Sequence, residues 1–178
     1  KKGLEKEIKQ WTVKGSSPSR GFFAQPHFVE GEPIICVTEG MADTLAVAAW
    51  SKLPTVGAAG AGNLPKLALQ LEATGVSVEN RLFFLFTQND GPPKHESRKN
   101  FERLRQLLVK RGARAFHVSV PDPELKDIAG WLQTHPDAEW PPEEVRARLG
   151  DIGSAEPAAS THYVQADGCA LSIPAHIT

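Results

Sequence analysis

The sequence is poor in cysteine and has no excess of charge of either sign. Its two cysteines, Cys36 and Cys169, stand far apart in 178 residues. Such a pair is neither a disulfide framework nor a zinc pattern, and it fits a reducing cytosol. The formal net charge of −1 gives no overall footprint for nucleic acid, so any such surface must be local. No apolar run approaches the roughly 18–20 residues that a membrane span needs. The opening "KKGLEKEIKQW" has basic residues but no apolar core, so no signal peptide is visible there. There is no internal repeat and no low-complexity tract. The chain lacks an initial methionine and stops abruptly at "SIPAHIT". It is therefore expected to be an excised piece of a longer, cytoplasmic polypeptide with no membrane partner.

What is present has the composition of a globular protein: 40% apolar and 23% charged residues are enough to build one ordinary domain with appendages. "IKQWTVKGSSPSRGFFAQPHF" reads as two short extended segments about a turn at Ser16–Gly21. "PIICVTE" and "RLFFLFT" are continuous apolar runs, expected of strands covered on both faces. A short strand over Thr55–Ala58 and another in "ARAFHVSVP" complete four. Between them lie helical stretches. "MADTLAVAAWS" places Leu45, Ala48 and Ala49 on one face. "LPKLALQLEATG" stops at Gly75. "KHESRKNFERLRQLLVKRG" repeats Phe101, Leu104, Leu107 and Leu108 at helical spacing and stops at Gly112. "PELKDIAGWLQTH" and "PPEEVRARLG" are expected as short helices, the latter with Pro141 and Pro142 in its first turn.

This alternation predicts an α/β fold: a Rossmann-like parallel sheet of about four strands flanked by helices, with short β appendages at both ends. The expected organisation is an N-terminal β extension over 1–32, the α/β domain over 33–150, and a linker over 151–160. A hairpin over 161–178, turning at Asp167-Gly168, would open a following module.

In such sheets the site lies at the carboxyl ends of the strands. Glu39-Gly40 ends one apolar run and Asp90-Gly91 follows another. Magnesium takes hard oxygen ligands, commonly one or two carboxylates with water and phosphate. Two strand-end acids can supply them, and the glycines would let a phosphate approach the backbone.

The residues here resemble a known family. In order and spacing, "IICVTEGMADTLAVAAW", "TVGAAGAGN", "LFFLFTQNDGPPKHESRKNFERL" and "LKDIAGWL" are similar to the Toprim domain. Bacterial and phage primases, type IA and type II topoisomerases, OLD-family nucleases and recombination-mediator proteins share it. The likeness covers roughly residues 33–132 and is closest to the phage and plasmid primases and primase-helicases. It implies that Glu39 is the metal ligand or general acid/base of the first strand, followed by Gly40 and by Asp43 in the first helical turn. It implies that Asp90 acts with Glu39 in catalysis. It also implies that Glu39, Asp90 and Asp127 hold Mg2+ (or Mn2+), with Gln88, Asn89 and Gly60 in support. Two positions depart from the family pattern. The usual Asp-x-Asp is Gln88-Asn89-Asp90 here, and the last acid of the later Lys-Asp element is Trp131. The implied activity is nucleotidyl transfer in primer synthesis by a DNA-replication protein. Its partners would be a single-stranded DNA template, nucleoside triphosphates, and a helicase domain in the same polypeptide.

Plainer uses of the same residues stay open at this stage. Glu39 can cap the following helix, Asp127 can begin one, and Asp90-Gly91 can form a strand-exit turn. "GAAGAGN" lacks the Walker lysine and suits a tight turn. Lys94, Arg98, Lys99 and Lys126 would touch nucleic-acid or nucleotide phosphates, or, for the helix that holds most of them, belong to a solvated face. His95 and His117 are isolated and expected to be structural or exposed; Trp50, Trp131 and Trp140 are expected to pack locally. Trp11 lies beside basic residues where it can stack on a base. A nuclease of OLD type, or a degenerate domain that only binds nucleic acid or assembles, are the alternative functions.

Overall fold

The computed structural model describes residues 21–24, 32–89, 96–153, 163–164 and 170–171, with side chains up to residue 149. Five strands make one sheet: β1 (Phe22–Ala24), β2 (Ile34–Glu39), β3 (Thr55–Ala58), β4 (Leu82–Thr87) and β5 (Arg114–Ser119). Their order is β1-β3-β2-β4-β5. The last four run parallel, with Val37 level with Val56 on one side and Leu85 on the other. β1 adds antiparallel to β3. The sheet is thus one strand wider than expected, because part of the supposed N-terminal extension belongs to it.

The strands alternate between two apolar layers. Ile35, Val37, Phe83 and Leu85 face a 3-10 segment (Ala61–Lys66), α2 (Leu67–Ala73) and α3 (Glu96–Lys110), meeting Leu64, Leu71, Phe101 and Leu104. Cys36, Phe84, Phe86 and Val118 face α1 (Met41–Ser51), α4 (Ile128–Thr134) and α5 (Glu143–Gly153), meeting Val47, Ile128 and Val145. Cover on both sides is why the strand sequences are unbroken apolar runs. Phe83 and Phe84 are fully buried on opposite faces, worth roughly 2 kcal/mol each relative to exposure.

Several local expectations need correction. α1 buries Asp43, Thr44, Val47 and Ser51. Leu45 is 52% exposed, so the inward face is not the one set by Leu45, Ala48 and Ala49. The reason is a close approach to the sheet. Thr44 occupies the space beside Gly57, where a Cβ would fall 1.9 Å from its Oγ1. The helix expected from Leu64 begins instead as a 3-10 turn containing Pro65; proline supplies no backbone N–H for an α-helical bond. α4 starts only at Ile128, after Asp127. α5 starts after both prolines and runs through Gly153, so the linker does not begin at 151. β6 (Tyr163–Val164) and β7 (Ala170–Leu171) form the expected antiparallel pair. Its turn at Asp167-Gly168 lies outside the described residues. So do residues 1–20, with Trp11, and residues 90–95, with Asp90, Gly91, Lys94 and His95. Among the described residues no helix is long and apolar enough to cross a membrane.

The topology prepares a crevice. From β2 the chain crosses over the α1 face to β3. From β4 it crosses over the α3 face to β5, on the other side. Connections leaving the adjacent carboxyl ends of β2 and β4 therefore diverge, and this is where open α/β sheets bind ligands. Glu39 closes β2 at that point, and Gln88 follows β4.

Candidate functional site

Glu39 shares the side-chain direction of Ile35 and Val37, toward α3. The next residue, Gly40, turns the chain out of the strand at φ 86°, a backbone state that glycine adopts without strain. The Glu39 carboxylate does not cap α1; that helix has no side-chain cap bond. It spans instead two elements on the opposite face. Oε1 accepts from the Ala61 backbone N–H at 3.0 Å. Oε2 accepts from Ser97 Oγ at 2.6 Å. Gly60, at φ 91°, makes the turn that brings Ala61 to the carboxylate.

Asp43 is displayed from the first turn of α1, but inward. Its Oδ1 accepts from the Ala129 N–H of α4 at 3.0 Å. Its Oδ2 accepts from Gln88 Nε2 at 3.1 Å. Burial pushes its pKa from 3.8 up to about 6, against those two donors, and the charges of Asp127 and Glu39 push the same way. Three carboxylates from β2, α1 and the start of α4 therefore share one electrostatic neighbourhood.

The residues after β4 tie down the loop that leads to α4. The Asn89 N–H donates to Lys126 O at 2.7 Å. Its side-chain amide donates to Asp122 O and Leu125 O at 3.0 and 2.9 Å. Asp127 then caps α4, its Oδ1 accepting from the Gly130 N–H at 2.8 Å. The plain helix-start role of Asp127 is thus met. Trp131 packs edge-on against Trp50, with centroids 5.7 Å apart, and Trp50 against Trp140 at 5.0 Å. The local packing expected of these tryptophans is observed.

A hard divalent cation fits part of this donor set. A carboxylate has about four acceptor sites, and Glu39 uses two. Among the described residues no three His, Cys, Asp or Glu side chains converge to hold a metal ion. Among the described residues Glu39 is the strand-end carboxylate that keeps spare acceptor capacity. Asp90 lies outside them.

The basic helix divides in two. Arg98 and Lys99, in the first turns of α3, are exposed, and Lys126 is exposed on the neighbouring loop. Among the described residues none of the three forms an ion pair. Farther along, Arg105 pairs with Glu102 and Arg111 with Glu72. Glu102 also meets His117 Nε2 at 2.9 Å, so that histidine is a structural partner here. Arg98 and Lys99 flank Ser97 at the end of α3 that meets Glu39.

Sequence reasoning missed Ser97 and the Ala61 N–H. A signal for Ser97 existed: it falls one turn before Phe101 on the apolar stripe of α3, where a hydroxyl needs a buried partner. No family model, curated protein or solved structure matches the chain.

Proposed function

We propose that the chain is a Toprim-like domain of a primase or primase-helicase type of replication protein. Glu39 holds Mg2+ (or Mn2+), assisted by Asp90 and, through water, by Asp127. The ion neutralises phosphate charge while a nucleoside triphosphate is joined to a primer on single-stranded DNA. Arg98, Lys99, Lys94 and Lys126 attract the phosphates to that edge. The observation that carries this reading is the placement of Glu39. It ends β2 at the divergence between β2 and β4, fixed by two donors and within electrostatic reach of Asp43. Glu39→Gln keeps the size of the side chain and its ability to accept while removing its charge. It should abolish magnesium-dependent primer synthesis by the protein; undiminished synthesis by that variant refutes the assignment. Labelled DNA or RNA cut in magnesium without nucleotides would move the chemistry to phosphodiester hydrolysis.

A second reading is a domain that binds nucleic acid or assembles without catalysis. Two placements favour it. Gln88 donates its amide to Asp43, and Trp131 is packed among aromatic rings. Both positions, where the resemblance expects acids, have structural tasks. Calorimetric titration with Mg2+ separates the readings: the catalytic one requires binding that Glu39→Gln removes.

A further inference from the structure

Glu39 is held from α3 by a residue that no motif singles out. Ser97 is 2% exposed, and its hydroxyl donates to Glu39 Oε2 at 2.6 Å. That length is typical of a hydrogen bond to an ionised carboxylate. The other carboxylate oxygen is held by the Ala61 N–H. One donor comes from the 3-10 segment and the other from α3, so the two fix the carboxylate plane between them. A glutamate free of such restraint explores several rotamers, and ordering it costs binding free energy when a ligand arrives. The remaining lone pairs of a fixed carboxylate keep one direction instead.

We infer that Ser97 is a positioning residue: through the Glu39–Ser97 hydrogen bond it presets the carboxylate for a divalent cation. This rests on the reading of Glu39 as a metal ligand. The bond also seats the first turn of α3, with Arg98 and Lys99, against the acidic edge. A purely architectural role for Ser97 would consist of that seating alone.

Free Mn2+ measured by electron paramagnetic resonance during titration separates the two roles without relying on activity. The chain is compared with Ser97→Ala, Ser97→Thr and Asn100→Ala, each melted first by circular dichroism. Asn100 is a useful control: it is 5% exposed in the same helix and bonded to Arg103, not to Glu39. Loss of the Ser97 hydroxyl should weaken Mn2+ binding about tenfold, the lower range for a hydrogen bond to a charged group. Ser97→Thr, which keeps the hydroxyl, should recover most of that loss, and Asn100→Ala should bind as the parent does. Should Ser97→Ala fail to melt cooperatively, Ser97→Cys, similar in size but a weak donor, takes its place with the same expectation. Unchanged Mn2+ affinity in the hydroxyl-free variant, or an equal loss in Asn100→Ala, overturns the positioning role while leaving Glu39 as ligand. A parent chain that binds no Mn2+ overturns the metal reading itself, and this inference with it.

Discussion

Asp43 makes a pH-dependent prediction whose size follows from its surroundings. It is 5% exposed, and burial lifts its pKa from 3.8 to about 6 in the folded chain. Unfolding returns it to water and to its ordinary value. Between about pH 4 and pH 6 the native state therefore keeps a proton that the unfolded chain releases, and stability falls as pH rises. The contribution is whole below pH 3.8 and lost above about pH 6. At 1.36 kcal/mol per pKa unit it amounts to about 3 kcal/mol. Asp43→Asn cannot ionise. Its carbonyl can still accept from Ala129 N–H, and the Gln88 amide can turn to accept from the new NH2. Urea denaturation of both proteins from pH 4 to pH 8 is the assay, with other carboxylates cancelling in the difference. The variant should gain on the parent by about 2.5 kcal/mol across that range, most of it between pH 4 and pH 6.5. A difference curve that stays flat would show that Asp43 is not destabilised by ionising, and the account of the buried α1–α4 junction would fail.

Three further outcomes are expected. Gly57→Ala would put its Cβ 1.9 Å from Thr44 Oγ1 and 3.0 Å from Gly40 O. It should cost about 2–3 kcal/mol in denaturant unfolding, and adding Thr44→Ala should return part of the loss. Trp50→Phe leaves the Ala138 carbonyl without the indole donor now 2.8 Å away and should cost about 1–2 kcal/mol; an unchanged midpoint would mean that this bond carries no stability. Burial pushes the Cys36 thiol up to about 12. Because the thiolate is the reactive form, Cys36 should resist a chromogenic disulfide reagent in the native protein and react on unfolding, as peptide mapping of the labelled thiols would show.

The strands were the most readable part of the chain. Runs such as "LFFLF" have only one economical use at that length, a strand covered on both faces, and Phe83 and Phe84 do lie on opposite sides of the sheet. α3 was equally readable because Phe101, Leu104 and Leu108 repeat along one stripe. The inward face of α1 is not legible, for the opposite reason. Its inward face carries Asp43 and Thr44, whose partners Ala129, Gln88 and Gly57 are remote in sequence. A hydrophobic count favours Leu45, whereas the close approach of helix to strand favours threonine. The candidate site divides along the same line. The position of Glu39 at a strand end followed from local pattern, but its donors are 22 and 58 residues away. β1 was too short for its pairing to be legible.

The two departures from the resemblance have one physical effect in common. An aspartate in place of Gln88 would set a second carboxylate beside Asp43, and two acids so close cannot both ionise cheaply. The amide is neutral and supplies a donor instead. An acid in place of Trp131 would give up the ring that packs on Trp50 of α1 and would lower the affinity of α4 for that helix. Gln88 and Trp131 therefore both serve the α1–α4 side of the crevice as structure. On that side Asp43 is engaged by Gln88 and Ala129, and Asp127 by its own helix. On the α3 side, Glu39 stands with two donors and spare lone pairs, one donor being Ser97, the residue before the exposed Arg98 and Lys99. On the proposed reading, cation binding would therefore centre on Glu39, on the α3 side of the sheet edge. A substitution that loosens Trp131 should then disturb stability more than Mn2+ affinity, while changes at Glu39 should do the reverse.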